Sequence, residues 1–105
     1  MAKQPEAIIQ KDLIGLLTSK GWYVFVTHGS SHQAGLPDLY LTHKVYGPRW
    51  IDVKNPKRHR LTPAQKRVWT AFAQNGTGVW ILTAATDSQI ELLFKKPNWH
   101  LFWKE

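Results

Sequence analysis

Asp38, Asp52 and Lys54 have the residue types and the spacing that hydrolysis of an anionic ester requires. Asp52 and Lys54 stand two apart in Arg49-Trp-Ile-Asp-Val-Lys54, a stretch whose aromatic and β-branched residues read as a strand. Side chains alternate across a strand, so the acid and the base share one face, expected to be open, while Ile51 and Val53 turn to the core. A second such stretch, Asp38-Leu-Tyr-Leu-Thr-His43, precedes a turn around Tyr46-Gly47-Pro48, and the two form a β-hairpin. Asp38 then falls opposite or diagonal to Asp52 and Lys54, where diagonal neighbours lie ~7–8 Å apart. Two carboxylates so placed can share one hard cation at the ~2.0–2.1 Å ligand distances of magnesium. A cation held there generates hydroxide near neutral pH, and Lys54 adds positive charge where the transition state gains negative charge. Singly, the same residues are a turn acid after proline and an exposed ion pair of little worth. Their convergence is what points to chemistry.

The charge distribution supplies the matching partner. The 105 residues carry 14 Lys/Arg against 7 Asp/Glu, a formal +7. Seven of those bases, Arg49, Lys54, Lys57, Arg58, Arg60, Lys66 and Arg67, fall within positions 49–67, where Asp52 is the one acid. A basic patch of this kind neutralises phosphates and releases their counterions, which is the footprint of nucleic-acid binding. Lys57, Arg58 and Arg60 are the candidate phosphate anchors. Ser30 and Ser31, in the loop GSSHQAG (29–35), are further candidates, although loop serines commonly serve turns alone.

The elements that must position these groups follow from pattern. Pro5 and Glu6 suit a first helical turn, and Ile9, Leu13, Leu16 and Leu17 recur at helical spacing, which predicts a helix over 4–19 closed by Gly21. Residues 22–28 read as a strand. Thr62-Pro63 is an N-cap followed by proline at the first helical position, and Val68, Trp69 and Phe72 form the inner stripe of a helix over 63–75. GVWILT (78–83) is a buried strand, with a shorter segment around 90–94 after it. The order α-β-β-β-α-β predicts an α/β fold, a mixed sheet flanked by helices, in a single domain spanning 1–105. Zero cysteines exclude disulfides, thiolate metal sites and cysteine nucleophiles, and the apolar runs are far shorter than a membrane span. These features predict a soluble intracellular protein of cytoplasm or nucleoid, with no membrane partner. His28 and His32, four apart, do not make a zinc site without a fuller ligand set.

Gly35-Leu-Pro-Asp38 followed by Asp52-Val-Lys54 resembles the signature of the PD-(D/E)XK nucleases. The run DVKNPKRHRLTPAQKRVW (52–69) is similar to the virus-type replication-repair nuclease (VRR-NUC) family, and the likeness covers roughly residues 4–83. It implies a restriction-endonuclease-like core and a nuclease dependent on magnesium or manganese. Asp38 and Asp52 match its metal-binding acids, Lys54 its catalytic lysine, Glu6 its first-helix glutamate and Gln65 the glutamine of the following helix. The acid before x-Lys is aspartate where that family usually has glutamate. Stand-alone domains of this type, like the similar Holliday junction resolvases, are generally homodimers acting on branched DNA.

Two of these residues also have readings of their own. Glu6 shares the inner helical face with Ile9 and Leu13, which brings a carboxylate toward the sheet as a metal or water-positioning group, or leaves it as a helix-dipole acid. Gln65 is either a solvated helix residue or an amide that touches substrate phosphate or the lysine. Trp50, Trp99, Phe102 and Trp103 are candidates for base stacking or a subunit interface. The reading from the residues and the resemblance together is a divalent-metal-dependent DNA endonuclease selective for branched DNA such as four-way junctions. Its rival is a non-catalytic basic DNA-binding module with a structural acid cluster.

Overall fold

The computed structural model describes residues 5–27, 34–57 and 59–104. The elements run α1 (Pro5–Ser19), β1 (Tyr23–Val26), β2 (Leu39–His43), β3 (Gly47–Val53), α2 (Pro63–Gln74), β4 (Val79–Leu82) and α3 (Asp87–Ile90), then 3₁₀ turns at Glu91–Phe94 and Trp99–Phe102. The four strands make one mixed sheet in the order β1-β2-β3-β4, antiparallel except for the parallel β3–β4 pair that α2 connects. This is the α/β architecture expected. No helix among the described residues is long and apolar enough to cross a membrane.

Both faces of the sheet carry a core, the α1 side across all four strands and the α2 side over β3 and β4. Leu39, Leu41, Ile51, Val53 and Leu82 pack against Leu13 and Leu17 of α1 and against Ile90 and Leu93. On the opposite face Val79 and Ile81 pack with Leu61, Trp69 and Trp99, flanked by Trp50, Val68, Phe72 and Phe102. The side of β3 that bears Asp52 and Lys54 is therefore covered by α2 rather than open, a correction to the simple alternation argument: Asp52 is 2% exposed and Lys54 8%.

The hairpin turn occupies residues 44–46, and Gly47 and Pro48 already belong to β3. Proline lacks the N–H that a central strand must donate. Here β4 begins its pairing only at Trp50, so Pro48 lies beyond the doubly paired stretch. Trp22 sits before β1 with its ring buried, and β1 itself is shorter than the 22–28 expected. The aromatic tail folds back on its own chain: Trp99 is 9% exposed and meets Trp69 edge-on at 6.2 Å. Trp50 is likewise core-facing, 5.7 Å from Phe72. Burial of Trp99 inside its own protomer removes it from a subunit interface.

Candidate active site

The register of the hairpin places the site. Leu39 pairs with Ile51, so Asp38, one residue earlier, comes level with Asp52. Asp38 Oδ2 accepts the Val53 N–H at 2.8 Å, which fixes its carboxylate against β3. The segment leading to Asp38 is pinned in turn. Gly35 has φ +88°, and a Cβ there would stand 2.6 Å from the Ala64 carbonyl oxygen, so only glycine lets this loop lie against α2. Trp69 Nε1 donates to the Gly35 carbonyl at 2.7 Å, and Pro37 is buried. Thr27 continues the pairing by donating its N–H to the Asp38 carbonyl at 3.0 Å.

Lys54 enters the same space from the end of β3. Its backbone N–H donates to Leu82 O at 3.1 Å, extending the β3–β4 ladder by one residue. Its ammonium lies 3.2 Å from Asp52 Oδ2, donates to Gln65 Oε1 at 2.8 Å, and sits 5.8 Å from the Trp69 ring centroid. Gln65 is held by a capping box: Thr62 Oγ1 accepts the Gln65 N–H at 3.1 Å, while Gln65 Oε1 accepts the Thr62 N–H at 3.0 Å. The cap of α2 and the lysine therefore share one oxygen.

Burial pushes the Asp52 carboxyl up to about 8. The Asp38 charge and a hydrogen bond from protonated Asp52 to Asp38 add to that rise, and Lys54 only partly opposes it. Crowded hard oxygens in a desolvated site are the environment that a divalent cation stabilises, because the ion replaces the proton and cancels the repulsion. Asp38 and Asp52 thus fit a magnesium-type ion by the chemistry of their donors. Among the described residues no set of three His, Asp or Glu gathers around a common point.

A solved structure described as a VRR_NUC domain matches with a TM-score of 0.71 over 88% of this chain and 97% of its own length, at 19% sequence identity. The chain has the fold of a VRR-NUC domain. No family model matches the sequence, and no curated protein does so significantly. In this VRR-NUC fold, Asp38, Asp52, Lys54 and Gln65 converge on the α2 side of the sheet. Glu6 stands at the margin: its Oε1 accepts the Asn55 N–H at 3.3 Å, one residue beyond Lys54, from an exposed position on α1.

Lys57 and Arg60 are exposed and line a cavity of ≈ 530 Å³ together with His59 and Lys104. His59 packs edge-on to Phe102 at 5.2 Å, and its buried Nδ1 has no hydrogen-bond partner among the described residues. Arg58, Ser30 and Ser31 lie outside the described residues, as do His28 and His32. Sequence reasoning noted Thr62 as a cap and weighed Gln65 separately; the T-x-x-Q spacing of Thr62-Pro-Ala-Gln65 is the signal that joins them. It also missed Trp69 as the wall beside Lys54, for which periodicity gives no sign beyond burial.

Proposed function

We propose that this chain is a divalent-metal-dependent DNA endonuclease that hydrolyses phosphodiester bonds in branched DNA such as four-way junctions, with magnesium or manganese as cofactor. The observation that carries the reading is the alignment of Asp38 with Asp52 on adjacent strands, with the Lys54 ammonium against one of them. Asp38 and Asp52 would hold the ion, which supplies an activated water and neutralises charge on the phosphate. Asp52 would release its proton to solvent on binding such an ion. An ammonium has three donors, and Asp52 and Gln65 engage two of those of Lys54, leaving one for a phosphate oxygen in the transition state. Glu6 steadies the backbone at Asn55 rather than completing a carboxylate cluster. Lys57 and Arg60, with Arg58 between them in sequence, hold the flanking phosphates.

Two such sites in a symmetric homodimer would address two strands of a junction. The rival reading, an inert DNA-binding module, draws support from the burial of Asp52, which pushes its carboxyl toward the neutral form. Labelled duplex, flap, single-stranded and four-way-junction substrates, each with magnesium, manganese or chelator, separate the two. We expect cleavage that requires the ion and is abolished by Asp38→Ala and by Asp52→Ala. Cutting in chelator, or wild-type rates from either folded variant at saturating magnesium, would exclude the proposed metal site. Metal-independent binding with no cleavage of any substrate would favour the inert module.

A further inference from the structure

The α2 face of the sheet is only half covered. α2 packs over β3 and β4, and the same face of β1 and β2 is left with aromatic side chains in solvent. The pairings Phe25↔Tyr40 and Tyr40↔Trp50 put three rings in one row across the sheet. Phe25 is 56% exposed, and Tyr40 and Trp50 are half-buried with ring centroids 4.7 Å apart. A mainly apolar groove of ≈ 240 Å³ runs over Phe25, Thr27, Leu36, Tyr40 and Trp50. A second depression continues from Tyr40 and Trp50 to Arg49 and the glycines at 76 and 78.

This row lies two residues along each strand from the carboxylates, since Tyr40 pairs with Trp50 and Asp38 stands level with Asp52, on the same face. At ~3.3 Å per residue the separation is ~7 Å, about two stacked nucleotide steps at 3.4 Å per strand. A duplex keeps its bases stacked on one another and offers no free ring faces to such a row. An unpaired base does. The exposed Phe25 ring and the half-buried Tyr40 ring beside the candidate site, on a chain of formal charge +7, match a single-stranded polyanion with planar bases.

We propose that Phe25 and Tyr40 form a stacking platform for an unpaired base next to the phosphate processed at the Asp38–Asp52 site, so that the strand of a branched substrate reaches that site locally unpaired. This rests on the nuclease reading for its placement. Its test does not depend on cleavage, because binding is read in chelator.

The test is fluorescence anisotropy with a labelled single-stranded oligonucleotide and its duplex at one fixed salt concentration, without divalent metal. Phe25→Ala should weaken single-stranded binding about tenfold and leave duplex binding within about twofold. Phe25→Trp should restore the single-stranded affinity, and Phe25→Leu, apolar but without a ring, should not. A 2-aminopurine placed in the strand should be quenched by the wild-type protein and not by Phe25→Ala. Equal losses on both substrates, full rescue by Phe25→Leu, or no effect of Phe25→Ala would overturn the proposal. Loss of self-association with unchanged single-stranded binding would instead assign the row to a second copy of the chain. A protein that cuts no substrate yet shows the Phe25-dependent quenching would retain the platform and lose the nuclease reading.

Discussion

Asp38 Oδ2 accepts its hydrogen bond from the N–H of Val53, the residue immediately after the other site acid. One carboxylate is thereby fixed by the backbone that carries its neighbour, and the two cannot drift apart without breaking a bond in the sheet. Burial first, and the nearby Asp38 charge second, push the Asp52 carboxyl toward its protonated form.

That proton makes stability depend on pH in a defined direction. The Asp52 carboxyl is raised from 3.8 to about 8 in the fold, so the folded state binds the proton more tightly than the unfolded chain does. The corresponding stabilisation is complete below the unfolded value and is lost as pH rises through about 8. Thermal melts in chelator should therefore show this contribution declining between pH 5 and about 8. If magnesium binds the ionised pair as proposed, it should raise the melting temperature more at the upper end of that window than at the lower. Asp52→Asn should flatten the pH response and abolish the magnesium response together. A magnesium shift that survives in Asp52→Asn would place the ion elsewhere.

Lys54 and Gln65 should separate in their phenotypes. Lys54→Ala is expected to bind DNA nearly as the parent does and to cleave about a hundredfold or more slowly, because the role proposed for its charge lies in the transition state. Gln65→Ala removes the lysine's acceptor and half of the capping box, so it should lose about 1 kcal/mol of stability as well as rate. Denaturant melts beside single-turnover kinetics check both. A Lys54→Ala defect confined to affinity would contradict the assignment.

The basic segment should act uniformly across sequences. Neutralising Lys57 or Arg60 is expected to weaken every DNA substrate alike and to reduce the log–log salt slope on duplex by about 0.9 for each phosphate that is no longer neutralised. An unchanged slope in the Lys57→Ala/Arg60→Ala double variant would route the DNA along another face.

Gly35→Ala tests the anchoring of Asp38. A side chain at φ +88° and 2.6 Å from the Ala64 carbonyl oxygen combines a left-handed backbone penalty with overpacking, together about 2–5 kcal/mol. Denaturant unfolding should show a lower midpoint, and surviving folded protein should bind magnesium more weakly. Wild-type stability would mean that the loop repacks away from α2.

The order of elements was legible because the patterns are strong and local: Thr62-Pro63 opens α2, Gly21 closes the turn after α1, and alternation marks the strands. The approach of Asp38 to Asp52 was legible because a hairpin puts them opposite or diagonal, and the observed register makes them level. Depth was not. Alternation assigns Asp52 and Lys54 to the side away from Ile51, and it says nothing of whether a later helix will cover that side. The burial of Lys54 depends on Trp69 and Gln65, and those contacts exist only once α2 has crossed back over the sheet. The tail defeated pattern reading for the same reason. Trp99 belongs to a core whose other members lie up to 38 positions away at Leu61.

The oxygen shared by the α2 cap and the lysine couples any fraying of that helix end to the setting of the lysine. Helix ends open at far lower free energy than cores do. Each opening of the first turn of α2 frees the Thr62 and Gln65 amides and withdraws an acceptor from the Lys54 ammonium in the same event. Amide exchange at those two positions therefore counts the molecules in which the lysine is held. That population depends on the cap that Thr62 and Gln65 form around Pro63.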